Sequence, residues 1–282
     1  MIRIFSDSTC DLSDEVVNRY GITIIPLHIV LDDREYRDRV EISQEEIFEW
    51  ADKNKTTPKT SAVSYDDAVA AIRPVIDVGD EIIVFTISSA MSTTMNIFNM
   101  IAEDLEATDR IHVVDSMNLS TGIGLLVVEA AVMAQEGCSS EDIIREMEHL
   151  RPKVRASFVI DTLTYLARGG RCSSVAALTG GVLRIHPKII VRDGNMEVSK
   201  KYRGNIRSVV MDYVKDMHYA LLGARQYRVF VTHTSRDREL VEGVKSYLAD
   251  LDYFDEIIET KAGGVISSHC GPGTLGVLFI EG

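Results

Sequence analysis

Apolar and polar positions fall along the chain in blocks that switch between a two-residue and a 3.6-residue period, the pattern of an α/β fold. Ile2–Ser6 reads as a strand, followed by a helix over Ser13–Tyr20 with Ser13 as N-cap. Ile22–Leu31 reads as a second strand. Ser43-Gln-Glu-Glu46 forms a capping box that opens a helix running to Asn54, and Ser64-Tyr-Asp-Asp67 opens another that ends before Gly79. Glu81–Thr86 begins a continuous apolar run, the mark of a strand buried on both faces of a parallel sheet. A helical segment follows, then strand Ile111–Val114, a long helix over Ser120–Glu136 and a helix over Ser140–Leu150.

Arg151-Pro152 and its polar surroundings mark a domain boundary, and the second half differs in character. Val154–Ile160 reads as a strand, followed by a helical region holding Gly169-Gly170 and Gly180-Gly181. Lys188–Val191 and Met196–Lys201 flank Asp193-Gly194, a strong hairpin signal. Helices over Ile206–Leu222 and Asp237–Leu248 alternate with strands at Val229–Thr232, Glu256–Thr260 and Leu275–Ile280. The expected architecture is a three-layer domain with a parallel sheet over residues 1–152 and an α/β domain with a mixed sheet over residues 153–282.

At 282 residues the chain is long enough for two such domains. No apolar run approaches the roughly 20 residues a membrane-spanning helix needs, and the amino-terminal residues do not read as a secretory signal. A cytoplasmic location follows as the expectation. Cys10, Cys138, Cys172 and Cys270 are scattered without metal-type spacing, so free thiols and no metal are expected. The net charge of −13 argues against nucleic acid as a partner. That charge is uneven. Between Arg168 and Arg207 nine basic residues (Arg168, Arg171, Arg184, Lys188, Arg192, Lys200, Lys201, Arg203, Arg207) face two acidic ones (Asp193, Glu197), so this island carries +7 against −20 for the remainder. A local anionic partner is one reading; scattered solvated positions are the other.

Four small polar segments stand out: Asp7-Ser8-Thr9, Thr60-Ser61, the run Ser88–Thr94, and Asp115-Ser116. Three of them follow predicted strands, where open α/β sheets bind ligands. The run Ser88–Thr94 has hydroxyls but no acid, base or cation, which suits holding an oxyanion through neutral donors; an ordinary loop with Ser92 as N-cap is the alternative. Near the end, Gly271-Pro-Gly-Thr-Leu-Gly276 matches a dinucleotide fingerprint in spelling only, because no helix and no βαβ unit follow. Gly271 and Gly273 instead suit close backbone approach to a ligand or a strand. His269, among glycines and hydroxyls, could donate one hydrogen bond to a carboxylate and accept another, or simply be structural. A His269–Cys270 thiol dyad is weakened if the segment is extended, because strand neighbours point to opposite faces.

These motifs, together with Phe158-Val-Ile-Asp-Thr-Leu-Thr-Tyr-Leu-Ala-Arg-Gly-Gly-Arg-Cys-Ser173 and the closing His269-x-Gly-Pro-Gly-Thr-Leu-Gly276, resemble the DegV family over essentially the whole chain. The resemblance implies a two-domain α/β protein with a long-chain fatty acid buried between the domains. It implies a non-catalytic binding subunit that presents the acyl carboxylate to a separate ATP-using fatty acid kinase subunit. Carried over by residue, Thr60, Ser61, Ser88, Ser89 and His269 would surround the carboxylate, with Ser92, Gly271 and Gly273 as ligand-loop contacts. Arg171 and Arg203 would lie on the surface facing the kinase and the phosphate. Two positions depart from the family pattern: Val63 stands where the family usually has proline, and Thr93 where it usually has glycine.

The implied chemistry is physically coherent. Burying a methylene contributes about 0.8 kcal/mol, so a tail of roughly 14 supplies on the order of 10 kcal/mol, while a hydrogen bond to a charged group supplies about 1.5–3 kcal/mol. The tail then dominates affinity and the polar end sets orientation. Apolar residues near Leu119–Met133 and Val175–Leu183 could line a tail channel or serve as core. No cofactor is expected, since no Walker A pattern occurs. Two rivals remain at this level: a serine hydrolase or acyltransferase using Ser89 or Ser92, and a carrier or sensor of another small carboxylate. The first lacks Gly-x-Ser-x-Gly.

Overall fold

The computed structural model describes residues 1–176, 178, 185–234 and 236–282. Gly180, Gly181 and Arg184, and most of the Val175–Leu183 segment, lie outside the described residues. The first half contributes strands β1 (Ile2–Asp7), β2 (Thr23–Ile25), β3 (His28–Leu31), β4 (Arg34–Arg37), β5 (Lys59–Ser61), β6 (Glu81–Thr86) and β7 (Ile111–Asp115). Its helices are α1 (Asp14–Tyr20), α2 (Gln44–Asn54), α3 (Tyr65–Asp77), α4 (Thr94–Asp104), α5 (Thr121–Gln135) and α6 (Ser140–Leu150). The second half contributes β8 (Val154–Val159), β9 (Ile185–Arg192), β10 (Asn195–Arg203), β11 (Arg228–His233), β12 (Glu256–Lys261) and β13 (Leu275–Ile280). With them come α7 (Thr164–Gly169), α8 (Ser173–Ala176), α9 (Ile206–Asp216), α10 (His218–Leu222), α11 (Arg238–Asp250) and α12 (Gly264–Cys270).

The fold is α/β with two principal sheets, a parallel one in the order β2-β1-β6-β7 and a mixed one in the order β10-β9-β8-β13-β11-β12. A small antiparallel sheet, β4-β3-β5, was not legible in the sequence. It arises where the expected strand Ile22–Leu31 divides. Residues 23–25 pair with β1, then Pro26, which has no N–H to give a ladder, intervenes, and residues 28–31 pair with other partners. The capping box on α2 forms as the spacing predicts, with Ser43 and Glu46 serving each other's backbone. The expected helix Ile206–Leu222 is interrupted at Met217.

Helix α5 is buried along most of its length and lies against β1 on one side and β8 and β13 on the other. One apolar core therefore runs from Ile4 and Phe85 through Ile123–Val128 to Phe158 and Leu278. Gly124 allows this, since a Cβ there would lie 2.7 Å from a methyl of Leu12 and 3.0 Å from the Cys10 carbonyl. A hydroxyl ladder ties the same helix to the second sheet: Thr121 meets Thr232 at 2.6 Å, and Thr232 meets Thr260 at 2.9 Å. The β9–β10 turn has positive φ at Asp193 (48°) and Gly194 (74°), as a two-residue hairpin requires. Its tip crosses to the first half, where Ser88 Oγ donates to the Gly194 carbonyl (2.7 Å). Among the described residues, no helix is long and apolar enough to cross a membrane.

The one-turn helix after β1 (Ser8–Cys10) carries buried carboxylates at both ends, Asp7 and Asp11. Burial pushes the Asp7 carboxyl up to about 6 and the Asp11 carboxyl up to about 7, from an ordinary 3.8. The folded chain thus holds these protons more tightly than the unfolded chain. Their contribution to stability is complete below the unfolded value and is lost as pH rises through the folded values. Urea unfolding at about pH 4.5 and about pH 7.5 should show Asp11→Asn reducing the stability lost over that interval. An unchanged loss would contradict the burial argument.

Candidate functional site

A cavity of about 490 Å³ opens between the halves, at the carboxyl end of the parallel sheet. Its polar rim brings together Thr60, Ser61, Ser89, Ser92, Arg171 and His269. Its wall is apolar, including Ile87, Met91, Leu119, Met196, Val265 and Ile266. A separate small cavity of about 20 Å³ shares Leu119, Ile266 and Cys270 with it and is also lined by Phe158 and Leu278.

His269 sits on the last turn of α12, a helix that the sequence reading had not foreseen. The segment is therefore not extended, and the opposite-face reasoning against a His269–Cys270 pair does not apply. Cys270 is nonetheless inert: it is buried, and desolvation pushes its thiol far above the ordinary range. The His269 Nε2 lies 2.9 Å from Thr60 Oγ1. Its Nδ1 is buried with no hydrogen-bond partner among the described residues, and it faces Gly169, where a Cβ would lie only 2.3 Å away. Gly169 thus leaves the ring its place, which gives the Gly169-Gly170-Arg171 block a steric reason. Desolvation, aided by the nearby Arg171 charge, lowers the His269 pKa to about 4. The imidazole is neutral at physiological pH. With the proton on Nε2, it donates to Thr60 and leaves the Thr60 hydroxyl proton free for an anion.

The other hydroxyls are less available than their composition suggests. Ser89 Oγ donates to Asp115 at 2.6 Å, and Ser61 Oγ donates to Glu35 at 2.9 Å. Ser92 Oγ accepts from the Thr94 N–H and shares a bond with the Thr94 hydroxyl. The acceptors for Ser61 and Ser89 are an exposed carboxylate, Glu35, and a half-buried one, Asp115, so these hydroxyls can donate to a ligand only by giving up those bonds. Thr93 lines the cavity with φ of −89°, so the glycine usual in the family is not needed for this backbone. Val63 is buried in the core of the first half.

Three residues expected at the ligand do not line the cavity. Ser88 is buried and spends its hydroxyl on Gly194. Gly271 and Gly273, both at φ 77°, admit Tyr165 and Asp161, whose atoms a Cβ would meet at 2.7 and 2.9 Å. Arg203, expected on the surface and not at the ligand, lies exposed at the end of β10. The basic island is also partly neutralised, since Arg192, Lys200 and Arg207 pair with Glu197, Asp216 and Asp237. Among the described residues neither Ser89 nor Ser92 is hydrogen-bonded to a histidine: Ser89 Oγ donates to Asp115, and Ser92 Oγ is engaged with Thr94. Among the described residues, no group of three or more His, Cys, Asp or Glu is placed to hold a metal ion.

Fold and cavity together define a class: two-sheet α/β proteins with an apolar cavity between the sheets and a hydroxyl-rich mouth. The profile described as "Uncharacterised protein, DegV family" matches residues 1–282. The chain belongs to the DegV family. A DegV domain-containing protein of Caldanaerobacter subterraneus subsp. tengcongensis is 32% identical over 282 residues, covering 99% of each chain. A solved DegV family protein from Thermus thermophilus, described as fatty acid binding, superposes with a TM-score of 0.91 at 28% identity, covering 99% of both chains. A stearic-acid-binding protein from Eubacterium ventriosum superposes with a TM-score of 0.85 at 29% identity, covering 100% of this chain and 98% of that one.

The lowered His269 pKa has a direct check. Its Cε1 proton resonance should titrate with a midpoint near 4 rather than near 6.5. Because the folded value is depressed, the stability it contributes is present above the unfolded value and is lost as pH falls towards 4. A midpoint at or above 6.5 would contradict the desolvated, neutral ring.

Proposed function

We propose that this chain binds a long-chain fatty acid, with the carboxylate at the Thr60–His269 pair and the tail running inward past Leu119 and Ile266. The observation that carries this reading is the cavity with a neutral polar mouth on an apolar wall, behind whose Leu119 and Ile266 lies a second small cavity lined by Phe158 and Leu278. Such a wall rewards methylene burial, and the mouth supplies donors without a buried cation's desolvation cost. Arg171, exposed at the mouth, adds long-range attraction for the head group. The descriptions of the Thermus and Eubacterium relatives as fatty-acid binders support the same ligand class.

We further propose that the chain is the binding subunit of a two-part system, handing the carboxylate to a separate ATP-using kinase subunit in the cytoplasm. The support is chemical. The sequence has no Walker A pattern, no serine of the mouth is hydrogen-bonded to a histidine among the described residues, and the carboxylate would lie near the surface beside Arg171. Phosphorylation there would add negative charge next to a cation.

Organic extraction of purified protein, followed by mass spectrometry, should release a long-chain fatty acid. Failure to release one, together with failure of delipidated protein to bind added fatty acid, would end this reading. His269→Ala should weaken acid binding by about tenfold, the value of one hydrogen bond to a charged group, with the fold intact. Arg203→Glu should spare lipid retention but reduce acyl phosphate formation with the kinase subunit. Arg171→Glu should reduce both, since Arg171 lines the mouth. Loss of lipid from Arg203→Glu would contradict the surface role.

A further inference from the structure

Helix α12 belongs to the second half in sequence but is seated in the first. Two buried carboxylates hold its amino end, each only 1% exposed. Asp11 accepts from the Gly263 N–H at 2.7 Å and from the Ser120 hydroxyl at 2.6 Å. Asp38 accepts from the Gly264 N–H at 2.7 Å and from the Ser8 hydroxyl at 2.8 Å. A third contact comes from α2, where the Gln44 amide donates to the Ala262 carbonyl (3.0 Å) and to Ser267 Oγ (2.9 Å). Only glycine permits this approach. A Cβ at 263 would lie 3.2 Å from both carboxylates, and one at 264 would lie 2.5 and 2.6 Å from Ile29 and Ile47.

An ordinary N-cap would be far cheaper. One serine satisfies one N–H without burying a charge. Here desolvation raises both Asp11 and Asp38 well above the usual carboxylate range. Asp38 pushes the Asp11 carboxyl up slightly further, while Arg39 and the hydrogen bonds to each carboxyl pull the other way without cancelling the desolvation. Two carboxylates on separate elements do something that a single cap cannot. With Gln44 they fix three points, and three points set both the position and the rotation of a short helix. At 1.5 Å rise per residue, His269 lies only about 8 Å along the axis from Gly264, so a pivot at the amino end would move its ring directly.

We propose that Asp11 and Asp38 are positioning residues for the head-group site: they lock α12 in the rotation at which His269 meets Thr60, and so set the preference for an anionic head group. This inference rests on the fatty-acid reading above. It concerns the acceptor oxygens, which hold the glycine N–H groups, and assigns neither residue a contact with the ligand.

The test compares palmitic acid with methyl palmitate, which shares the tail but lacks the charge, on full-length delipidated protein. Wild type should favour the acid. Asp38→Ala should narrow the acid-to-ester ratio by about tenfold or more, with ester affinity held within about threefold. Asp38→Asn, whose Oδ1 can still accept from Gly264, should recover most of the ratio. A purely structural role would weaken both ligands equally and leave the ratio unchanged, which overturns the proposal. So does an Asp38→Asn variant as defective as Asp38→Ala. Should Asp38→Ala fail to fold, Ser8→Ala decides the matter by freeing the second oxygen of Asp38. It should narrow the ratio by about threefold, and an unchanged ratio counts against the clamp. Wild type binding neither ligand is a different result: it removes the fatty-acid reading and this inference with it.

Discussion

The polar end of the cavity exists because one short helix is covalently continuous with one half of the chain and anchored in the other. Helix α12 leaves β12 of the mixed sheet, is pinned by Asp11, Asp38 and Gln44 of the first half, and returns through Gly271-Pro272-Gly273 to β13. That seating sets His269 against Thr60, a residue of the small antiparallel sheet. The apolar core that passes through α5 packs the two halves against each other around that seat. Loosen the helix, and the imidazole on its last turn loses its place against Thr60.

Charge is handled differently at the two ends of this helix. At the amino end, carboxylates are buried deeply and satisfied by backbone N–H groups and serine hydroxyls. At the carboxyl end the histidine is kept neutral by desolvation. A neutral ring beside a hydroxyl can orient a proton toward an incoming anion without contributing a charge of its own, which suits a ligand whose affinity comes chiefly from apolar burial. The carboxylates of Glu35 and Asp115 hold Ser61 and Ser89 in the meantime, so the mouth presents satisfied groups rather than bare ones.

Much of this was legible in the residues alone. The run into Thr86, the capping box at Ser43 and the Asp193-Gly194 turn announced their elements, because each is a local signal. His269, Thr60, Ser61, Ser89 and Ser92 do converge on one cavity. What escaped was non-local or depended on contact. Ser88 looks the same as Ser89 in sequence, yet one meets a hairpin tip and the other a strand-end carboxylate. The α12 turn has no periodicity to find in seven residues, and its glycines read as loop. The division of Ile22–Leu31 needed the weight of Pro26, which an apolar run conceals. Gly263-Gly264, separated by two residues from a predicted strand, was the available hint of close backbone approach, and Asp11 and Asp38 gave none.

The central claim is a direction: head group at the Thr60–His269 pair, methyl end inward. Nuclear Overhauser contacts in the complex with a fatty acid labelled with ¹³C at carbon 2 and at the terminal methyl test it most directly. The account predicts contacts from carbon 2 to Thr60 and His269, and from the terminal methyl to Phe158 and Leu278. Contacts in the reverse order, or a terminal methyl that touches neither Phe158 nor Leu278, would contradict it.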